Sequence, residues 1–247
     1  MDRREIPKCE ILGVQIAAIN MSTALNYIQT NLEDLKGQYI CISNVHTTVM
    51  SYEDTTYCSI QNEAALALPD GKPLSVICRK RGFSDAERVT GPDLMEEIFR
   101  LSNECGYKHY FYGGKAETLK TLETKLKQQY QLEIAGMYAP PFRDLTEEED
   151  RAVVERINKS GADFVWVALG APKQERWMYT HQGSIEGLMA GIGAGVDYFA
   201  GNIKRAPMWM QKCSLEWLYR LFQEPRRLFK RYLMTNTKFI WLTARGR

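Results

Sequence analysis

Long apolar runs are missing from this 247-residue chain. No stretch approaches the ~18 consecutive apolar residues that a membrane-spanning helix requires, so integral insertion is not expected. The apolar segment 11–19 is short, contains Gln15 and follows Glu10, which makes it a poor secretory leader. A cytosolic protein is therefore expected. Cysteine pairs are also absent: Cys9, Cys41, Cys58, Cys78, Cys105 and Cys213 are scattered with no CxxC spacing, as suits reduced thiols packed as small hydrophobes. The three histidines, His46, His109 and His181, form no HExxH motif, so no dedicated zinc site is expected. No DxD pair occurs, so the usual carboxylate scheme for holding Mg²⁺ or Mn²⁺ is not visible, and no metal is expected.

What is present is enough apolar material, 45% of residues, for one large domain or one domain with an appendage. The net charge of +2 conceals an asymmetry. Residues 203–247 carry eleven Lys or Arg against Glu216 and Glu224, a balance of +9, and the preceding residues carry −7. Such a tail suits an anionic partner: nucleic acid, a phosphorylated ligand or a membrane surface.

The segment DFVWVALGAPKQE, 163–175, organises the rest. It reads as a buried strand ending at Gly170, with Pro172 turning the chain into polar residues that include Gln174. In open α/β sheets, ligands bind beyond the carboxyl ends of the strands. Upstream, ILGVQI reads as a strand and Ser22 as the cap of the helix that follows. The strand YICIS exits into Asn44, His46, Thr47 and Thr48, followed by a helical segment to about Cys58.

The short run 64–68 ends in Pro69, Asp70 and Gly71 before a basic helix. Asp70 has two readings, a turn or cap residue or a general base held at a strand end. KHYFY meets Gly113, Gly114 and Lys115 ahead of a helix, which is either a tight turn or a place for phosphate to approach the backbone. LEIAGMY is a further strand, Thr146 and Glu149 form a capping box, and GLMAGIGAGVDYFAG supplies the last strand and a turn containing Asp197. Strands alternating with helices from Tyr39 to about Phe199 predict a parallel α/β sheet. In the tail, helical spacing of Leu215, Leu218, Leu221 and Phe222 is interleaved with tryptophan, phenylalanine and arginine. That pattern fits either a membrane interface or a helical cap over the sheet.

The set SNVHTT, PDG with KP, ERVTGPDL, FYGGK, LGAPKQE, GAGVDYFAG, KRAP and LEWLYRLFQEPRR, in order from about Tyr39 to Tyr232, strongly resembles the WecG/TagA/CpsF family of glycosyltransferases. The resemblance implies a Rossmann-like core at 1–202 and a helical, basic and aromatic appendage at 203–247 that completes the active site and touches the membrane. It implies inverting, metal-independent transfer of a hexose or N-acetylhexosamine from a UDP-sugar to a polyprenyl-diphosphate-linked acceptor, in cell-surface polysaccharide or teichoic-acid-type synthesis. No cofactor beyond the donor is implied. The expected location is the cytoplasmic face of the cell membrane, attached peripherally to an anionic surface, and a homo-oligomer is compatible.

By the same resemblance the catalytic aspartate falls on Asp70, with Arg220 and Arg227 as appendage arginines and Lys230 or Arg231 as a third cation. Gln174 lies near the site. Asn44, Thr47, Gly113, Gly114, Lys115 and Asp197 complete the candidate substrate contacts from the strand exits. Many members carry Thr-x-Asn where this chain has Ile42, Ser43 and Asn44, which leaves Ser43 or Thr47 to supply a hydroxyl. Two other classes fit less. A nucleotide-sugar epimerase or dehydrogenase would carry GxGxxG after an early strand, and none occurs. A basic nucleic-acid module explains the tail but not the polar strand exits.

Overall fold

The computed structural model describes residues 6–212 and 215–245, apart from the side chains of Lys212 and Arg227. A hairpin of β1 (Lys8–Ile11) and β2 (Val14–Ala17) comes first, where the apolar run 11–16 predicts one strand. Leu12 (φ 51°) and Gly13 (φ 87°) form a two-residue turn between the paired Ile11 and Val14. Positive φ at both positions matches the twist of a tight hairpin, and a continuous apolar run conceals it because Ile11, Leu12, Val14 and Ile16 are all buried. Helix α1 (Met21–Leu35) is capped by Asn20, which accepts from the Thr23 N–H, rather than by Ser22.

After β3 (Tyr39–Ser43), the helix expected to run to about Cys58 is two helices, α2 (Val45–Glu53) and α3 (Thr55–Glu63). Extended Asp54 ends the first and caps the second through the Tyr57 N–H. The core continues with β4 (Leu66–Pro69), α4 (Lys72–Lys80), α5 (Gly91–Cys105), β5 (Lys108–Gly113), α6 (Ala116–Gln129), β6 (Glu133–Tyr138), α7 (Glu147–Lys159), β7 (Phe164–Ala168), α8 (Lys173–Thr180), β8 (Leu188–Gly191) and α9 (Gly195–Ala200). The Thr146 and Glu149 capping box forms in full at the start of α7.

The six core strands make one sheet in the order β4-β3-β8-β7-β5-β6, with every pairing parallel. This is the α/β architecture the alternating pattern predicts. Successive strand residues face opposite layers. Ile40, Ile42, Phe111, Phe164 and Trp166 pack in one cluster, while Tyr39, Cys41, Tyr112, Val165 and Val167 pack in the other. Both faces are therefore covered, as a parallel sheet requires.

Beyond the core come α10 (Met208–Lys212), α11 (Glu216–Gln223) and α12 (Pro225–Ala244). Helix α12 buries Leu228, Phe239 and Leu242, and the last two join the hairpin core beside Ile11 and Val14. The tail thus does cap part of the fold. It also leaves Trp209, Phe222, Phe229, Leu233, Met234 and Trp241 half or more exposed. No helix among the described residues is long and apolar enough to cross a membrane.

Candidate active site

A parallel sheet delivers all its strand exits to one edge, and here that edge opens into a cleft of ≈ 1970 Å³ roofed by α11 and α12. Small-molecule pockets usually span roughly 300–1,000 Å³, so this cleft has room for two substrates. Asn44, Thr47, Asp70, Gly114, Lys115, Gln174, Asp197, Arg220 and Arg231 all line it. Residues scattered over the length of the sequence thus meet at one site.

Asp70 follows β4, with its N–H donating to the Ser43 carbonyl at 2.7 Å. Its side chain is 28% exposed, and no hydrogen bond from a described residue reaches the carboxyl. Enclosure in the cleft wall removes enough hydration to push its pKa up to about 6. The Arg88 charge opposes that rise, Glu216 and Asp93 add to it, and Arg220 opposes it. A carboxyl with its pKa raised to about 6, and with no hydrogen bond from the described residues, is suited to accept a proton.

Arg88 Nε lies 3.6 Å from Asp70 Oδ1, while its Nη2 donates to Glu216 Oε2 at 2.5 Å. Glu216 also faces Arg205, whose Nη1 donates to Asp93 Oδ1 at 2.6 Å. Thr90, the N-cap of α5, donates to the other Asp93 oxygen at 2.7 Å. This chain of alternating charges ties the appendage to the wall that carries Asp70. Arg88, Asp93, Arg205 and Glu216 are not among the residues expected from the sequence. The available signal was that Arg88 stands in ERVTGPDL and Glu216 in LEWLYRL, two of the motifs that carried the resemblance.

The appendage cations differ in placement. The Arg220 guanidinium lies 5.4 Å from the Tyr198 ring centroid and 3.8 Å from Glu224. Arg231 Nε is buried without a hydrogen-bond partner among the described residues, as is His46 Nδ1. Burial and the Arg231 charge together lower the His46 pKa. Lys230 is exposed and does not line the cleft. The side chain of Arg227, expected as a catalytic cation, lies outside the described residues.

Several candidate contacts are engaged in structure. Asn44 caps α2 by accepting from the His46 and Thr47 N–H groups, and Thr47 Oγ1 accepts from the Asn44 N–H at 2.8 Å. Gly113 does not line the cleft. A Cβ there would stand 2.5 Å from the Ala168 carbonyl oxygen, so close approach of β5 to β7 demands glycine. The Gly114 N–H donates to that same carbonyl at 3.2 Å, so this amide is not free to meet a phosphate. Asp197 accepts from Asn202 Nδ2 at 3.0 Å.

Gln174 sits at the start of α8, 4% exposed, with Oε1 accepting from the Gly193 N–H at 3.0 Å and Nε2 donating to Glu175 Oε1 at 2.7 Å. Burial raises the pKa of Glu175, whose Oε2 is buried with no hydrogen-bond partner among the described residues. Tyr57 OH accepts from Gln61 Nε2, and Gln61 Oε1 accepts from Ser43 Oγ at 2.6 Å. Ser43 is fully buried in this network below the cleft, so its hydroxyl does not line the cleft, whereas Thr47 does. Ile42 takes the cleft-lining position at this exit.

No group of three or more His, Cys, Asp or Glu that could hold a metal ion occurs among the described residues. The arrangement places the Asp70 carboxyl, its pKa raised, in a roomy cleft that several guanidinium groups also line.

The sequence model of the family described as "Glycosyl transferase WecG/TagA/CpsF family" matches residues 9–247. The chain is also similar to the N-acetylglucosaminyldiphosphoundecaprenol N-acetyl-beta-D-mannosaminyltransferase of Bacillus subtilis (strain 168). The two are 29% identical over 217 residues, which cover 87% of this chain and 82% of the relative.

Proposed function

The chain belongs to the WecG/TagA/CpsF family of glycosyl transferases, and from that premise we propose that it moves a hexose or N-acetylhexosamine from a UDP-sugar to a saccharide on a polyprenyl diphosphate. The name of the Bacillus subtilis relative supports N-acetylmannosamine as the sugar and an N-acetylglucosamine diphosphate lipid as the acceptor. The observation that carries the reading is Asp70: a carboxyl with pKa raised to about 6, open to a cleft lined by Arg88, Arg220 and Arg231.

The proposed step is a single displacement with inversion. The acceptor hydroxyl gives its proton to Asp70 while its oxygen bonds to the anomeric carbon, and the bond from that carbon to the UDP oxygen breaks with its electron pair. Guanidinium groups meet charge on the departing diphosphate in place of a metal. Arg220 and Arg231 are the cations assigned to this task, and Gln174 keeps the loop at Gly193 in place as one wall.

The segment 203–247 is proposed to close the site and to bring it to an anionic membrane surface. Apolar side chains exposed beside lysine and arginine on α12 support that role. Calorimetry against a panel of UDP-sugars, followed by transfer assays with a short-chain lipid-diphosphate N-acetylglucosamine, tests the assignment. Binding of UDP-N-acetylmannosamine with formation of the disaccharide is the expected result, and a donor other than a UDP-sugar would overturn it.

A further inference from the structure

We propose that Glu216 is a positioning residue for the reaction. By occupying the Nη end of Arg88, it keeps that guanidinium from pairing side-on with Asp70, so the general base is ready only when α11 is docked. This rests on Asp70 being the base.

The geometry is specific. A guanidinium presents its donors as a rigid fork that suits a carboxylate bidentately, at roughly 2.7–2.9 Å. Arg88 offers Glu216 a contact of 2.5 Å but stands 3.6 Å from Asp70, which is too long for such a bond. One tine of the fork, Nη2, is thus committed to the appendage. Asp70 stays within ion-pair range of Nε, and among the described residues no hydrogen bond reaches its carboxyl oxygens.

Glu216 is itself held in place by a second cation. Its Oε1 faces Arg205 Nε at 3.8 Å, and Arg205 is anchored by Asp93 and by Gln211 Oε1 at 3.2 Å. The charged and titratable groups bearing on Asp70 are Arg88, Asp93, Arg220 of α11 and Glu216 of α11, with Tyr198 of α9 nearby. Of these, Glu216 alone both adds negative charge near Asp70 and takes Arg88 away from it. Removing its charge therefore acts on Asp70 twice in the same direction, towards a weaker base. A carboxylate paired with arginine commonly titrates about 1–3 pH units lower.

The test is the pH dependence of kcat in wild type, Asp70→Asn, Glu216→Gln and Arg205→Gln, with donor KM followed in parallel. In wild type the rate falls on the acid side, and that limb is absent from the residual activity of Asp70→Asn. A wild-type profile without an Asp70-dependent limb would remove Asp70 as base, and so is distinct from failure of the Glu216 relation. Glu216→Gln should move the limb down by about one pH unit and lower the plateau several-fold, with donor KM within about twofold. An unmoved limb with activity reduced equally at every pH would make Glu216 a mere latch and overturn the proposal. Should Glu216→Gln not fold, Arg205→Gln decides: with Glu216 left to Arg88 alone, the limb should move up, and an unmoved or lowered limb overturns the proposal.

Discussion

Asp70 Oδ1 stands 3.6 Å from Arg88 Nε, close enough to feel the charge and too far to share a proton-holding bond. That separation reconciles two demands on one carboxyl. The base must be ionised to accept a proton, yet must not be stabilised so strongly that it ceases to be basic. Loss of hydration raises its pKa and the arginine limits the rise. The residues that tune it come from α11 as well as from the core, so the appendage helps set the charge around Asp70.

Arg220 has a defined seat, its guanidinium 5.4 Å from the Tyr198 ring centroid. Arg220→Ala should lower kcat about 10²-fold, the scale on which one preorganised charge contact acts in a transition state. Arg220→Lys should recover little, because an ammonium does not reproduce the planar stacking. Steady-state turnover with the UDP-sugar checks this, and a loss under about threefold in the alanine variant would detach Arg220 from the leaving diphosphate.

Phe229 and Leu233 expose 60% and 59% of their surfaces on α12 and do not line the cleft. Replacing both with serine should weaken co-sedimentation with anionic liposomes at least about tenfold, since each side chain contributes roughly 1.5–3 kcal/mol when buried. Turnover on a water-soluble acceptor should stay near wild type. Unchanged liposome binding would mean that another surface meets the membrane.

His109 gives a pH test of stability independent of activity. It is fully buried, Nδ1 accepts from Trp166 Nε1 at 3.1 Å, and Nε2–H is left to donate to Ser102 Oγ at 2.8 Å, which requires the neutral ring. Burial pushes its pKa down to about 3 from 6.5. The unfolded chain therefore binds this proton more readily, so its contribution is complete above about pH 6.5 and is lost as pH falls towards 3. The slope is about 1.4 kcal/mol per pH unit inside that window. Denaturant titrations of wild type and His109→Gln between about pH 5.5 and pH 4 should differ in slope by about that amount, and identical slopes would contradict it.

Much of the fold could be read from the chain because its signals are local. The run around Trp166 is apolar on both faces, as a strand between two layers must be, and Thr146 with Glu149 marked a helix start that forms as expected. The hairpin at Leu12 and Gly13 was hidden because burial of every neighbouring side chain erased the period of two. Asp54 was likewise missed as a break, since one residue ends α2 and caps α3 without any proline or glycine.

In the site, strand exits pointed to Asn44, Asp70, Gln174 and Asp197. They did not separate groups that face the cleft from groups such as Ser43 and Gly113 that serve packing beneath it. Arg88 and Glu216 escaped because their pairing spans 128 positions, and no local pattern encodes it.

The most direct test is single-turnover transfer by Asp70→Asn, with donor affinity measured on the same preparation. A general base at Asp70 requires a rate ~10²–10⁴-fold below wild type with UDP-sugar binding retained. Asparagine that turns over at the wild-type rate would remove Asp70 from the mechanism and with it the proposed displacement.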